Sequence, residues 1–193
     1  MEGEAIALVW PADKAAQKVY ESIQNSVLLG AARTATQDVF FLVNQLVEVA
    51  VRSLSTGIND PFTATNCIDR LGAALAKFAG RKPPSPFRSG DNGELRLIVT
   101  AVSFSEITDL AFDQIRQYGA TSVPVLLSLL QTICKLAGFM RREEHRIVLL
   151  EHLHRIHSMF DIAAKTESDH RQLDIRYHEA LRAVETAQFR QPA

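Results

Sequence analysis

Apolar residues recur every three or four positions along most of the chain, the spacing of amphipathic helices. The pattern predicts a mainly α fold: a multi-helix bundle of about seven helices with a minor two- or three-stranded β element. The predicted helices span about 13–29, 36–54, 61–79, 104–118, 122–138, 141–165 and 168–188. Ser103 and Glu106 have the spacing of a capping box, which marks the start of the fourth helix.

Thr34 or Thr36 is predicted to cap a helix that runs to about Leu54. We interpret this helix as the most apolar one in the chain. Valine, phenylalanine, leucine and alanine occupy nearly its whole circumference, apart from one polar strip. That strip contains Asn44, Gln45, Glu48 and Arg52. A helix of this kind is buried either at the centre of a domain or against another subunit, so we expect a homo-oligomer.

Two short segments have the pattern of β-strands. Residues 4–10 read as a strand that stops at Pro11, and a lone strand needs a partner. A turn at Gly90–Gly93 predicts a hairpin over Phe87–Val99, which could equally pair with the N-terminal strand.

These patterns give the expected domain organisation. Residues 1–11 are interpreted as a remnant strand of a preceding β element. Residues 12–190 are expected to form a helical domain with a loop or hairpin insertion at about 81–100, where prolines and glycines concentrate.

The junction between the second and third predicted helices carries a dense set of backbone signals. Gly57 suits the positive φ that closes a helix, Asp60 is a good N-cap, and Pro61 falls at the first helical position. Asn59 can form an Asx-turn with the local backbone. Three of these residues, Gly57, Asp60 and Pro61, are explained as a structural motif by backbone geometry alone.

Composition excludes several classes of function. The 21 basic and 22 acidic residues give a net charge of −1, which argues against nucleic-acid binding. Cys67 and Cys134 are the two cysteines, and isolated cysteines favour a reducing compartment. The sequence contains neither a signal-peptide pattern nor an apolar run of about 18 residues, so the chain reads as a soluble polypeptide. We expect no cofactor.

One polar constellation is a candidate ligand-binding site. It consists of Asn59, Asp60, Asp109, Asp113 and Arg116. Such a set could form a cleft in which carboxylates transfer protons or hold a cation. The structural explanation is simpler, because Asp60 caps a helix and Asp113 pairs with Arg116 at i, i+3. No nucleophile–base pair accompanies these residues, so we predict no catalytic residue.

Histidines form the second candidate, a metal site. Two helical pairs have the i, i+3 spacing by which bundles present metal ligands: Glu151 with His154, and Glu167 with His170. A bundle site also needs glutamates from two further helices. His152, His154 and His157 point in different directions around their helix, so we interpret them as solvated or packing residues and predict no metal.

Two passages carry a family resemblance: residues 54–64 followed by 67–73, and residues 109–119. Together they resemble the domain of unknown function 2254 family of predicted bacterial membrane proteins, and the likeness extends more loosely over about 3–150. The resemblance implies several transmembrane helices followed by a large soluble region, of which this chain is similar to the later part. Thr56 departs from the family, which more often has proline there. The family has no established activity to transfer.

The function we predict is a non-catalytic soluble region of a bacterial membrane protein, serving oligomerisation or partner and ligand binding. It would reach the membrane through a transmembrane region absent from this chain, and we expect it on the cytoplasmic side. The alternative is an enzyme or metal-dependent site that uses Asn59, Asp60, Asp113 and Arg116.

Overall fold

The computed structural model describes residues 8–10, 16–27 and 38–189. The chain divides into two compact units, residues 1–36 and residues 37–193. In the first unit the structure describes one helix, α1 (Gln17–Ser26), which buries none of its side chains. Most of the predicted N-terminal strand lies outside the described residues, and its last residues, 8–10, form neither helix nor strand.

Within its described residues, 38–189, the second unit contains seven helices and one hairpin, which confirms the mainly α fold class with a minor sheet. In chain order they are α2 (Val39–Ser53), α3 (Pro61–Gly80), β1 (Phe87–Ser89), β2 (Leu95–Ile98), α4 (Phe104–Tyr118), α5 (Val123–Ala137), α6 (Glu143–His157), α7 (Phe160–Ala163) and α8 (Glu167–Thr186).

Helix α5 lies at the centre of this unit and packs against α3, α4, α6 and α8. The side chains of α5 explain this central position. Leucine, isoleucine and other apolar residues cover most of its circumference, so most of the helix is stable only when it is buried. Fully buried positions include Leu126, Leu129, Leu130 and Ile133. The two capping boxes, at Ser103 before α4 and Thr166 before α8, fix where two of its neighbours begin.

The predicted hairpin is confirmed. Phe87 pairs with Ile98 and Arg88 with Leu97 in an antiparallel ladder, and the register shifts between Arg88 and Ser89. Gly93 takes φ +76° in the connecting turn, a conformation that glycine adopts without steric cost. All residues of both strands are exposed.

The junction before α3 follows the predicted motif with one correction. The Asp60 carboxylate accepts hydrogen bonds from the N–H groups of Phe62 (3.0 Å) and Thr63 (3.2 Å), and Pro61 opens the helix. The hydroxyl of Thr63 also donates to this carboxylate, and these bonds lower the pKa of Asp60. The prediction for Gly57 is wrong, because the left-handed residue of the turn is Asn59, at φ 48°.

Three of the predicted helices also differ from the structure. Helix α1 spans Gln17–Ser26, with Ala16 and not Asp13 at its N-cap, and is shorter than the predicted 13–29. Helix α2 begins at Val39 with Asp38 as its N-cap, and not after Thr34 or Thr36. The single helix predicted for about 141–165 is two, because the chain turns after His157 and resumes at Phe160. The turn places Phe160 and Ala163 in the core.

The sequence predicted that α2 is buried nearly all round, either at the centre of the domain or against another subunit. Within this chain, α2 is not buried on all sides. It packs against α3 and α4 and buries one face, formed by Val43, Val47, Ala50 and Ser53. Leu42 and Val49 remain 47% and 48% exposed. No helix in the described part of the chain is long and apolar enough to cross a bilayer.

Candidate functional site

Helix α4 supplies the two carboxylates of the candidate site. Its apolar residues face the core, among them Phe112, which is fully buried. Asp109 and Asp113 are four residues apart and therefore lie on one stripe of the helix, at the edge of the buried face. Both are half-buried, and both face α6.

Helix α6 supplies an arginine that joins the two carboxylates. Arg155 Nη1 donates to Asp109 Oδ1 at 2.7 Å and contacts both Asp113 oxygens at 3.3 and 3.4 Å. The hydrogen bond to Asp109 is the main reason that the pKa of Arg155 is raised, with the charge of Asp113 adding to it. On its outer side the guanidinium lies 3.5 Å from Glu151.

Asp109 has three partners in the site, namely Arg155, His152 and Ser105. Ser105 Oγ donates to its second oxygen at 3.1 Å. Burial alone would raise the pKa of this carboxyl group, but the Arg155 hydrogen bond, the neighbouring His152 and the Ser105 hydroxyl outweigh burial and lower it. Asp109 is therefore an ionised carboxylate at neutral pH.

His152, also on α6, is the unusual member of the site. Its side chain is 1% exposed, and its Nε2 lies 3.2 Å from Asp109 Oδ1. Despite that distance, neither ring nitrogen makes a hydrogen bond with the described part of the chain. The edge of the ring packs against Phe112, with 5.6 Å between ring centroids. Burial lowers the pKa of His152 although Asp109 and Asp113 oppose it, so the ring is neutral at pH 7.

We call Asp109, Asp113, His152 and Arg155 the α4–α6 cluster. The predicted pair of Asp113 and Arg116 borders it, with Arg116 Nη2 3.3 Å from Asp113 Oδ1. One ring nitrogen and one oxygen from each aspartate lie within 4.8 Å of one another, so three donors of a metal site converge here. Chemically, the cluster is either a closed ion-pair network or a metal-cation site in which the Arg155 guanidinium occupies the position of the ion.

The other two residues of the predicted constellation lie elsewhere. Asn59 lines an open polar depression together with Ser122, Lys165 and Asp169. Asp60 uses its carboxylate to cap α3. In the described part of the chain, no hydrogen bond or ion pair joins either residue to the α4–α6 cluster.

The predicted histidine pairs do not converge in the described part of the chain. Glu151 and His154 are both exposed on α6, and Glu167 pairs with Arg171 at 3.9 Å. His170 Nε2 lies 2.9 Å from Asp161 instead of facing a metal-ligand set. The hydrogen bond that His170 donates to the Asp161 carboxylate is the main reason that the pKa of His170 is raised.

Sequence reasoning missed His152 and Arg155 as site residues. A signal for His152 was present, because it continues the apolar stripe of α6 through Val148, Leu149, Leu153 and Ile156. A histidine on such a stripe is buried when the helix packs. Arg155 carries no comparable signal, since its partners on α4 are more than 40 residues away in sequence.

The chain has recognisable relatives of unknown activity. It is 36% identical over 111 residues to uncharacterized proteins of Mycobacterium bovis and Mycobacterium tuberculosis. That match covers 58% of this chain and 21% of each relative, so the chain spans about a fifth of the length of the curated relatives it matches. No solved structure matches the chain significantly.

The family match is broader than these pairwise matches. Residues 1–135 match the family described as "Predicted membrane protein (DUF2254)". The matched residues include α4 with Asp109 and Asp113, whereas α6 lies beyond them. Since the match covers more than half of the sequence, this chain belongs to the DUF2254 family of predicted membrane proteins.

Proposed function

We propose that this chain is a non-catalytic helical region of a membrane protein and that it self-associates through α2. The observation that carries the proposal is a row of apolar side chains beside the packed face of that helix, most of which stay more than a third exposed. The row consists of Val39, Leu42, Leu46 and Val49. We call it the α2 row.

The spacing of the α2 row suits packing against another helix. Its members are three, four and three residues apart, which is the a/d spacing of a helix–helix seam. Val39, Leu42 and Val49 are each more than a third exposed, while Leu46 is partly covered. Helical geometry places Gln45 and Arg52 along the outer border of the row, where polar residues flank a seam.

A second copy of this chain is the partner that fits these features best. In a twofold contact each member of the row is buried twice, once on each subunit. Burial of a valine or leucine side chain contributes about 1.5–3 kcal/mol when it is complete, and the half-exposed members of the row retain part of that. The row is short, so we expect a reversible dimer and not an obligate one.

The compartment we propose is cytoplasmic. Cys67 and Cys134 are both free thiols, as expected in a reducing environment. Burial raises the pKa of the Cys67 thiol, which keeps that thiol protonated and unreactive.

Light scattering coupled to size exclusion tests the proposal on the chain as it stands. We expect the measured mass to rise from monomer towards dimer as the loaded concentration increases through tens of micromolar. A constant monomer mass across that range would reject self-association.

The second candidate is a metal-dependent or enzymatic site that uses Asn59, Asp60, Asp113 and Arg116. The convergence of donors at Asp113 favours a binding site in this region, although on α4 and α6 and without Asn59 or Asp60. If the site is functional, Asp113→Asn abolishes ligand or metal binding without lowering the melting temperature. If the variant only loses stability, Asp113 is a structural ion-pair residue.

A further inference from the structure

We propose that Asp109, Asp113 and His152 bind one divalent first-row transition-metal ion, and that the Arg155 guanidinium moves out of the cluster when the ion enters. The inference concerns α4 and α6 alone and does not depend on self-association through α2.

The donor set matches what such an ion needs. Two carboxylates and one imidazole come from two packed helices, and the His152 nitrogen already lies 3.2 Å from an Asp109 oxygen. Neighbouring ligands of an ion bound at about 2.1 Å are about 3 Å apart, so this pair has the separation of adjacent ligands. The complete set of donors lies within 4.8 Å of one another, so the other donors would approach by at most about 2 Å to reach the same separation.

His152 is the observation that points to a ligand. A neutral imidazole has one donor and one acceptor nitrogen, and buried polar atoms are nearly always hydrogen-bonded. His152 is 99% buried and leaves both ring nitrogens without a hydrogen bond, with Nε2 beside the carboxylate. A metal ion would occupy the lone pair of the nitrogen that faces Asp109.

Arg155 is the group that the ion would replace. Its guanidinium carries the positive charge that balances Asp109 and Asp113, with Arg116 adding a second charge beside Asp113. The Arg155 side chain is 38% exposed, so it can leave without opening the core. Glu151, 3.5 Å away on the solvent side, can accept it there.

The donors also select the class of ion. Imidazole suits zinc, iron, nickel and copper ions, whereas calcium and magnesium prefer sites made of oxygen alone. Three protein ligands leave at least one coordination position for water. The cluster therefore favours Zn²⁺ and similar ions over Ca²⁺.

Isothermal titration of the chelator-treated chain with Zn²⁺, and separately with Ca²⁺, tests the inference. We expect one Zn²⁺ site per chain and no comparable Ca²⁺ binding. Asp113→Asn and His152→Gln should each weaken Zn²⁺ binding about tenfold or more. Mutating a residue that only hydrogen-bonds a metal ligand already costs about tenfold in affinity, and loss of a ligand itself should cost at least as much. Arg155→Gln should tighten it, because the competing cation is gone.

Asp69→Asn is the matched control, since Asp69 is an exposed acid on α3 that pairs only loosely with Lys135 at 3.7 Å. It should leave the Zn²⁺ affinity unchanged. Thermal melting without metal identifies any variant that fails to fold, and Asp113→Asn, at a half-buried position, remains informative if His152→Gln unfolds. The inference is overturned if the parent chain binds no Zn²⁺, if both ligand variants bind it as tightly as the parent, or if Arg155→Gln weakens binding.

Discussion

The backbone of Gly72 in α3 lies directly against the γ-methyl group of Thr132 in α5. A Cβ atom added at Gly72 would be 2.4 Å from that methyl carbon, closer than two carbon atoms can approach. Both residues are buried. The absence of a side chain at Gly72 therefore sets how closely α3 approaches the central helix.

We predict that Gly72→Ala destabilises the fold by about 1–3 kcal/mol, the usual cost of overpacking a core, despite the better helix propensity of alanine. Adding Thr132→Ser, which removes the methyl group, should recover part of the loss. Gly80→Ala is the control, because nothing lies within 4 Å of a Cβ at that position. Urea unfolding measures all four chains, and equal midpoints for Gly72→Ala and Gly80→Ala would contradict the close contact.

The turn before α3 gives a second pair of opposed substitutions. Asn59 is the left-handed residue, so Asn59→Val should cost about 1–2 kcal/mol, while Asn59→Gly should be tolerated. Gly57 does not have a positive φ, and a Cβ there would meet nothing, so Gly57→Ala should leave stability unchanged or slightly raised. Thermal melting distinguishes the two sites. A larger loss at Gly57 than at Asn59 would restore the assignment that the sequence suggested.

Much of the fold could be predicted from sequence because its signals are local. The Ser103–Glu106 capping box, the Asp60 cap with Pro61, and the Gly90–Gly93 turn each act within a few residues, and all three occur as predicted. The break between α6 and α7 carries no glycine or proline. The apolar spacing continues through it, from Ile156 to Phe160, so periodicity alone could not reveal it.

The same difference between local and long-range contacts explains which residues of the candidate site could be predicted. Asp109, Asp113 and Arg116 could be grouped from sequence because one helix carries them at a spacing of three or four residues. Their partners His152 and Arg155 reach them only through the packing of α4 against α6, which no local pattern specifies. Asn59 and Asp60 were grouped with them without any such constraint.

Stability should fall with acid because of His145. This side chain is fully buried, its ring lies 4.4 Å from that of Phe104, and Arg142 Nη2 is 2.8 Å from its Nε2. Its Nδ1 accepts the Arg141 N–H at 3.3 Å. Burial, followed by the charge of Arg142, lowers the pKa of His145 from 6.5 to about 4.

Acid lowers the free energy of unfolding because the unfolded chain binds the proton at a higher pH than the folded chain does. Well above pH 6.5 His145 is neutral in both the folded and the unfolded chain, so its protonation does not change the free energy of unfolding. As the pH falls from 6.5 towards 4, the unfolded chain takes up a proton that the folded chain does not, and up to about 3 kcal/mol is lost. Urea midpoints at pH 7, 5.5 and 4.5 measure the loss. His145→Gln should flatten the profile and the exposed control His154→Gln should not; a parent chain equally stable at pH 7 and 4.5 would contradict the assignment.

The central proposal, self-association through the α2 row, is tested most directly by comparing two double variants in light scattering. Leu42→Lys with Val49→Lys places two charges in the row, while Ile147→Lys with Ile175→Lys places the same charges at exposed isoleucines on α6 and α8. We predict that the first variant stays monomeric at every concentration and that the second dimerises like the parent chain. The proposal is contradicted if the α2 variant dimerises as strongly as the parent.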